Sequence, residues 1–388
     1  MRLALIVHPP SFPSESMSRF AGMIIRGMAK RGHEAEVWTS PRRFGRLPIR
    51  SGFIRKWLGY VDQFLIYPRA LKQRVNQTRG DWLFIITDQA LGMWVPQLAH
   101  RPHVIHCHDF LALGSALGKF SENPTSWSGK QYQRLIRKGF SRGRAFISVS
   151  GKTREDLHRV LPSVPRISEV VHNGLNYPFC PVGLEERMNL LNQGTVAVQK
   201  DGFIMHIGGN QWYKNRKGAL EIYRAYVIST ANPLALWMVG SSPSAQLLEL
   251  AGSIQSPGRV HFISGLTNEQ VNAAYSHARV LLFPSLEEGF GWPIVEAMAS
   301  DCPVITTDRA PMTEVGGNAA CFIPRMPGKR TQREAWANSA ARTLDRIVRL
   351  KPGERASVLA EGRANAARFD TEAALDAYEE VYCRALTA

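Results

Sequence analysis

Residues 285–298 constrain the fold of this chain more than any other segment, because they combine two carboxylates with a glycine-containing loop. The carboxylates belong to Glu288 and Glu296, and Gly289 and Gly291 lie between them. Glycine lets the backbone turn sharply and approach a ligand closely. The segment therefore predicts a tight loop with an acidic side chain at each end.

A helix that starts at Pro293 would turn this loop into an anion site, because a helix N-terminus offers free N–H donors and a positive dipole end. Glu296 is expected in the first helical turn, where the dipole alone also favours an acidic residue. Capping does not explain Glu288. Residues 278–284 are mostly apolar and predict a buried parallel strand. The loop should therefore lie at the carboxyl end of a strand, where α/β folds bind ligands.

The chain is long enough for two α/β domains, with 388 residues of which 44% are hydrophobic. Apolar runs alternate with helical patterns, which predicts parallel sheets built from β-α-β units. We expect strands at residues 3–7, 34–38, 82–86, 103–107, 145–149, 169–172, 203–207, 235–239, 260–263, 280–283, 304–306 and 320–323.

The predicted fold class is α/β, with two Rossmann-like domains. Residues 176–183 contain proline and glycine and are expected to form the junction. The expected parts are an N-terminal domain at 1–178, a C-terminal domain at 179–368 and a helical segment at 369–388.

The positive charge of the chain is concentrated in its first half. Net charge is +16, with 27 Lys and Arg against 11 Asp and Glu in residues 1–180, and 21 against 21 in residues 181–388. Residues 42–79 hold ten basic residues and one acid, Asp62, with aromatic and aliphatic residues between them. This mixture is typical of an amphipathic segment on an anionic membrane. It would also attract nucleic acid, and a solvated basic face over a core helix explains it equally well.

Other classes of protein are disfavoured by what the chain lacks. No run of about 18 apolar residues predicts a membrane span, and the apolar stretch at residues 1–8 is too short for a signal peptide. The cysteines are odd in number and never spaced as C-x-x-C, so neither a zinc site nor a disulfide framework is expected. A cytoplasmic location fits this usage. The cysteines are Cys107, Cys180, Cys302, Cys321 and Cys383.

A second candidate segment, residues 207–218, follows a predicted strand and precedes a predicted helix. Its glycines and cations are placed to hold a diphosphate, although it is not a P-loop. The candidate residues are Gly209, Asn210, Lys214, Arg216 and Lys217.

Residues 104–110 place His106, His108 and Asp109 at the end of a strand. A metal site would need further ligands nearby, and the sequence does not show them. His106 is expected to point to the opposite side of the strand and to fill the core. The chain also contains no D-x-D pair, so no metal is expected on a bound diphosphate.

Together these segments resemble the retaining glycosyltransferases of the GT-B fold, family GT4. Residues 285–298 resemble the E-x7-E signature of that family, with Trp292 in place of the usual Leu. In residues 207–218, Lys217 matches a phosphate-binding Lys, but Asn210 stands where the family has Arg. Lys214 or Arg216 is then the candidate for the second charge. Residues 104–110 match a segment whose His, here His108, contacts the transferred sugar.

The resemblance implies two domains that face each other across a deep cleft, with the final helix crossing back to the N-terminal domain. It also implies a nucleotide-diphosphate sugar, best UDP-hexose, and a glycan or lipid-linked acceptor in polysaccharide biosynthesis, with no metal and no cofactor. The implied catalytic residues are His108 and Glu288. The implied donor-binding residues are Gly209, Asn210, Lys214, Arg216, Lys217, Gly289, Phe290, Gly291, Trp292, Ile294, Val295 and Glu296.

Within this resemblance, Glu296 would accept the ribose hydroxyls, Glu288 would hold sugar hydroxyls, and Lys217 would neutralise the leaving diphosphate. Residues 9–17 depart from the family because they lack its usual Gly-Gly. That departure leaves the shape of the acceptor site open.

Three alternatives remain at this point. A GT-B epimerase would share the nucleotide-sugar site but need no acceptor. A Rossmann dehydrogenase needs G-x-G-x-x-G after the first strand, which is absent. A nucleic-acid-binding protein would explain the charge but not the paired glutamates, so no nucleic-acid partner is expected. The basic first half adds the hypothesis of an anionic membrane partner and a peripheral position on the inner face of the membrane.

Overall fold

The computed structural model describes residues 1–9, 15–40, 58–59, 61–194 and 196–387. Residues 42–57 of the basic segment at 42–79 therefore lie outside the described residues, as do residues 10–14 of the N-terminal loop. The chain divides into two compact units, residues 1–176 with 371–388, and residues 177–370. The first division lies two residues before the expected domain end, and the second lies two residues after the expected start of the final segment.

The first unit contains a six-stranded parallel sheet with the strand order β2-β1-β3-β4-β5-β6. Its central strands are buried because both faces of a parallel sheet are covered by helices. All six predicted strands are present, and β6 begins two residues earlier than expected because Ile167 pairs with Ala145. The strands are β1 (Arg2–Ile6), β2 (Glu34–Trp38), β3 (Trp82–Ile86), β4 (His103–Cys107), β5 (Ala145–Ser148) and β6 (Ile167–Val170).

Helices cover this sheet, and one of them comes from the end of the chain. The C-terminal helix (Thr371–Thr387) packs against α1, where Gly27 allows the side chain of Leu375 to approach closely. Arg31 binds Asp376, with its NH2 2.6 Å from Oδ1. The other helices are α1 (Glu15–Lys30), α2 (Tyr67–Gln77), α3 (Leu111–Ala116), α4 (Trp127–Phe140) and α5 (Gly151–Val160), with a π-helical turn at Asp62–Ile66 and a 3-10 helix at Gln89–Gln97.

The second unit also contains a six-stranded parallel sheet, with the order β12-β11-β10-β7-β8-β9. Its six strands also match the predicted ones, with ends that differ by at most one residue. They are β7 (Ile204–Ile207), β8 (Leu236–Val239), β9 (Val260–Ile263), β10 (Val280–Phe283), β11 (Val304–Thr307) and β12 (Ala320–Ile323). The helices are α6 (Leu184–Leu191), α7 (Arg216–Ser229), α8 (Ala245–Gly252), α9 (Asn268–His277), α10 (Trp292–Ala299), α11 (Met312–Gly316), α12 (Arg330–Val348) and α13 (Pro352–Ala366).

In each sheet the strand order reverses beside the first strand. β1 lies between β2 and β3, and β7 lies between β8 and β10. The loops that leave the two strands at such a reversal run in opposite directions, so a crevice opens at the carboxyl ends of the strands. Ligands are therefore expected to bind at these reversal points.

The described residues contain neither a candidate membrane span nor a candidate metal cluster. No helix there combines the length and the apolar content that a bilayer crossing requires. No group of three or more His, Cys, Asp or Glu side chains is arranged to hold a metal ion in that part of the chain.

The core of the second unit contains a histidine that burial keeps neutral. His206 on β7 is fully buried, and its Nδ1 donates to the carbonyl of Leu282 at 2.9 Å. Burial lowers the pKa of His206 to about 4. The unfolded chain therefore takes up this proton at a higher pH than the folded chain does.

We predict that acid destabilises the protein through His206. A histidine with a lowered folded-state pKa contributes stability that is fully present above its unfolded pKa, near 6.5, and is lost as the pH falls toward about 4. Between about pH 7.5 and about pH 5, the unfolding free energy should fall by about 2 kcal/mol from this site. His206→Phe should remove that part in urea unfolding at the two pH values, and the exposed His100→Gln should not. An unchanged pH dependence in His206→Phe would contradict the prediction.

Candidate functional site

The candidate site of the second unit lies where its strand order reverses. The loop after β7 carries Lys214 and Asn215, and the loop after the adjacent strand β10 carries Ser285 and Glu288. The two loops leave neighbouring parallel strands at the same edge of the sheet. The two segments that the sequence singled out in this half are therefore brought together.

An ion pair joins the two loops. The Nζ of Lys214 donates to both carboxylate oxygens of Glu288, at 2.8 and 3.0 Å. Ser285 also donates to this carboxylate, at 2.8 Å. Glu288 is only 6% exposed, and these donors offset the cost of burying its carboxylate. A carboxylate and an ammonium group held this way can bind hydroxyl and phosphate groups of one ligand.

Asn215 shapes the loop that presents Lys214. It caps α7 from a left-handed backbone conformation with φ of 51°, and its Oδ1 accepts from the N–H of Gly218 at 3.1 Å. Its Nδ2 donates to the carbonyl of Pro284 at 2.8 Å. Asparagine tolerates positive φ better than most residues, and its side chain supplies both bonds. Asn215 therefore connects the loop after β7 to the loop after β10.

Asn210 and Arg216 bind each other in the loop after β7. The NH1 of Arg216 donates to Oδ1 of Asn210 and to the carbonyl of Ser241, the latter at 2.8 Å. Nδ2 of Asn210 donates to the carbonyl of Ser242 at 2.7 Å. Burial lowers the pKa of Arg216, and its Nε and NH2 have no partner among the described residues. This pair ties the loops after β7 and β8 together beside Gly209.

Lys217, the lysine that matches the family motif, is not brought to this site. Its side chain is 42% exposed, and its Nζ lies 4.0 Å from Oε1 of Glu221 on the same helix. It lines a groove between α7, α8 and α12. The structure therefore pairs Lys214, rather than Lys217, with Glu288.

Glu296 lies just beyond the first turn of its helix, one position further along than expected. Because α10 begins at Trp292, Glu296 is its fifth residue and Pro293 its second, so the expectation of a first-turn Glu296 was wrong. Gly291 precedes the helix with φ of 101°, a conformation that glycine adopts without strain. The Oε2 of Glu296 accepts from the hydroxyl of Tyr275 at 2.9 Å. Burial raises the pKa of Tyr275, so its hydroxyl stays a donor at neutral pH.

The side chains of the other motif residues are mostly buried and hold the loop in place. The side chains of Phe290, Ile294 and Val295 are buried, and Phe290 packs against Phe369. Trp292 is half-buried and contacts Phe290 edge to face. Because apolar side chains hold this segment in place, the loop from Gly289 to Gly291 can present its backbone to a ligand.

The first unit carries a polar cluster at its own reversal point. His8 follows β1, Asp88 follows β3, and the Nε2 of His8 donates to Oδ2 of Asp88 at 2.8 Å. Burial alone would raise the pKa of Asp88, but the hydrogen bond from His8 and the charge of His8 leave it below its usual value. His108, at the end of β4, donates from Nε2 to the carbonyl of Thr87 at 2.9 Å. Burial lowers the pKa of His108, so this imidazole is neutral at pH 7.

His106 and His108 lie on the same side of β4, contrary to the expectation. The ring of Phe20 on α1 contacts both, with centroid distances of 5.1 Å and 4.5 Å. Side chains alternate along a strand, so residues two apart share a face. His106 is nevertheless in the core, where it is fully buried and hydrogen-bonded to Tyr382 at 2.7 Å.

Sequence reasoning missed the supporting residues of both clusters. Ser285 is the first residue of the segment 285–298, but no sequence pattern indicated that its hydroxyl binds Glu288. Tyr275 reaches Glu296 only because α9 packs against α10. His8 and Asp88 are 80 residues apart. The ends of β1 and β3 could have indicated that pair, once these strands were known to be neighbours.

Two family models match the chain, one in each half. Residues 17–177 match "Glycosyltransferase Family 4", and residues 202–345 match "Glycosyl transferases group 1". The second match contains the Lys214–Glu288 pair and Glu296. The chain belongs to the family 4 glycosyltransferases. The expected family is thus confirmed.

Named relatives cover parts of this glycosyltransferase. It is 29% identical to O-antigen chain mannosyltransferase B of Escherichia coli over an aligned stretch of 143 residues. That stretch covers 36% of the chain and 37% of the relative. It is 24% identical over 201 residues to O-antigen chain mannosyltransferase RfbU of Salmonella typhimurium, which covers 52% of each. The chain therefore matches only about a third to a half of the length of these relatives.

Solved structures share its fold. HepE from Anabaena, determined in complex with UDP and glucose, matches with a TM-score of 0.68 at 15% identity, covering 98% of each chain. At this identity the match concerns the fold alone. The predicted α/β fold with two Rossmann-like units of the GT-B class is confirmed.

We predict that Asn215 stabilises the second unit through both its backbone conformation and its side chain. Asn215→Gly keeps the positive φ and loses the two hydrogen bonds, so it should cost about 1 to 2 kcal/mol of unfolding free energy. Asn215→Ala loses the same bonds but keeps a Cβ in the left-handed region, without the local hydrogen bonds by which asparagine tolerates it, which should cost about 1 kcal/mol more than the glycine variant. Urea unfolding of the two variants measures the difference. Equal stability, or a more stable alanine variant, would contradict the assignment.

Proposed function

We propose that this glycosyltransferase is a retaining, metal-independent hexosyltransferase. It moves a sugar from a nucleotide-diphosphate sugar, with UDP-hexose as the first choice, to a glycan or lipid-linked glycan in polysaccharide biosynthesis. The observation that carries this proposal is the Lys214–Glu288 ion pair at the strand reversal of the second unit. Two relatives are named O-antigen chain mannosyltransferases, and HepE was solved with UDP and glucose, which supports this class of donor and acceptor.

The donor phosphates are proposed to bind at Lys214 and at the N-terminus of α10. The ammonium group of Lys214 supplies a positive charge, and the N–H groups after Gly289 supply the donors of a helix N-terminus. Together they neutralise the leaving diphosphate without a metal ion. Lys214 takes over the role that the family motif suggested for Lys217, because Lys214 is the one beside Glu288.

The two glutamates are proposed to hold the hydroxyl groups of the donor. When Lys214 turns to the phosphate, Glu288 is free to accept from sugar hydroxyls while Ser285 continues to orient it. Glu296 accepts from the ribose hydroxyls, and the hydroxyl of Tyr275 fixes the plane of its carboxylate. Oriented acceptors of this kind position a substrate at little entropic cost.

The first unit is proposed to bind the acceptor and to contact the transferred sugar through His108. His108 is neutral, and because its Nε2–H donates to the carbonyl of Thr87, its Nδ1 is a hydrogen-bond acceptor. His8 and Asp88 lie at the same edge of the sheet as the end of β4 and offer further polar groups.

In the reaction, the bond from the anomeric carbon to the phosphate oxygen breaks, and the acceptor oxygen bonds to the same face of that carbon. The leaving phosphate takes the acceptor proton, so no protein nucleophile is required.

We also propose that the enzyme acts in the cytoplasm, at the inner face of the membrane. The basic first half of the chain supports this, because an anionic membrane attracts such a charge distribution. A lipid-linked acceptor would be met at that surface.

We predict that Glu296→Ala weakens donor use. A hydrogen bond to a charged group is worth about 1.5 to 3 kcal/mol, so each bond lost should lower kcat/KM for donor hydrolysis about 10- to 150-fold. The measurement is thermal shift and slow hydrolysis with a panel of nucleotide sugars. Stabilisation by one nucleotide that the variant loses would support the proposal. No response of the wild-type protein to any nucleotide sugar would refute it, and isomerisation of the donor without an acceptor would indicate an epimerase.

We predict further that the two lysines differ. Lys214→Met removes the proposed phosphate charge and should weaken nucleotide-sugar binding at least about 10-fold, the loss of one charged hydrogen bond. Lys217→Met, with the same change three residues away, should bind the nucleotide sugar like the wild type. Titration calorimetry with the donor from the panel gives both affinities. The reverse order would return the role to Lys217.

A further inference from the structure

Helix α4 presents two very different faces. Its inner face is buried through Ile136, Gly139 and Phe140. Gly139 lies so close to Gly92 of the 3-10 helix that a Cβ there would meet the carbonyl of Gly92. The inner face therefore holds α4 rigidly on the first unit. Residues on the outer face can change without disturbing that contact.

The outer face of α4 combines cations with exposed apolar side chains. Trp127 is 75% exposed and Leu135 is 44% exposed. At about 100° per residue, Arg134 and Lys138 lie within about 20° of Trp127 around the helix axis, and both are exposed. An exposed tryptophan on a basic helix face is not explained by the packing of the first unit.

A groove continues this face toward the start of α2. It has a volume of about 280 Å³, and Leu135 and Lys138 of α4 form one of its sides. Leu65, which follows the groove residue Phe64 in the sequence, is 52% exposed. The remaining side chains that line it are mainly apolar and include Phe64, Pro68, Met93 and Pro96.

The charge of this region has one sign. Residues 123–144 contain six Lys and Arg and no Asp or Glu, and residues 63–77 contain three Lys and Arg and no Asp or Glu. Residues 42–57, which the structure does not describe, have six Lys and Arg and no acid in the sequence. Three stretches from different parts of the first half thus share one composition, and two of them meet at the groove.

We propose that the outer face of α4 and the adjoining groove form the surface by which the protein docks on an anionic phospholipid bilayer. Trp127, Leu135 and Leu65 enter the headgroup region, and the cations around them bind lipid phosphates. A nucleic acid would use the cations but leave these apolar side chains in water, whereas a bilayer accepts both. This inference rests on the membrane location proposed above and names the surface responsible.

The test is co-sedimentation of the full chain with vesicles of phosphatidylcholine, alone or mixed with phosphatidylglycerol. The wild-type protein should sediment with the mixed vesicles and not with the neutral ones. Trp127→Glu combined with Leu135→Glu should lower the bound fraction at least about 10-fold, since it replaces apolar contacts with charges that the surface repels. Arg134→Gln combined with Lys138→Gln should weaken binding about 10- to 30-fold.

The matched control changes two exposed apolar residues of the second unit, Ile228→Glu with Leu248→Glu, and should bind like the wild type. Melting temperatures confirm that each variant is folded. Wild-type binding by both α4 variants would refute this surface. Equal recovery of the wild type with neutral and anionic vesicles, or binding of duplex DNA alone, would refute membrane docking. Nucleotide-sugar stabilisation, measured on the same samples, shows separately whether the proposed function holds.

Discussion

The pairing of β7 with β10 is the constraint on which the candidate site depends. These strands are far apart in the sequence but adjacent in the sheet, and the strand order reverses between them. Parallel pairing brings their carboxyl ends to one edge, so Lys214 and Glu288 meet although they are 74 residues apart. The donors Lys214 and Ser285 offset the cost of burying the carboxylate of Glu288. Any change in the register of these strands would therefore disrupt the site before it disrupted the core.

Both units place their polar clusters by the same principle. In the first unit the reversal lies between β1 and β3, and the His8–Asp88 pair spans it. Glu288, Glu296 and Asp88 each accept a hydrogen bond from a donor in another part of their unit. Buried ion pairs of this kind add little to stability compared with apolar packing, so their value lies in holding charged groups oriented in a dry site. The two clusters therefore contain different chemical groups but occupy the same position in their sheets, at the reversal of strand order.

Strand positions and the two main loops of the second unit were predictable, because each depends on local sequence. Buried parallel strands are short apolar runs, and glycine and proline mark the loops that follow them. The choice between Lys214 and Lys217 was not predictable, since the two lysines are only three residues apart. The left-handed turn at Asn215 lies between Lys214, on the loop, and Lys217, on α7. His106 was placed on the wrong side of β4 through an error of strand period, not through a tertiary effect.

The sequence by itself determined the class of fold, the position of the strands and the family, because these follow from hydrophobic period, turn residues and motif spacing. Only the tertiary structure decided which side chains meet. The partners Tyr275 with Glu296, His8 with Asp88 and Lys214 with Glu288 come from different loops and helices, and local propensity carries no information about such contacts. The outer face of α4 belongs to the same category, since burial of its other face is what leaves Trp127 exposed to solvent.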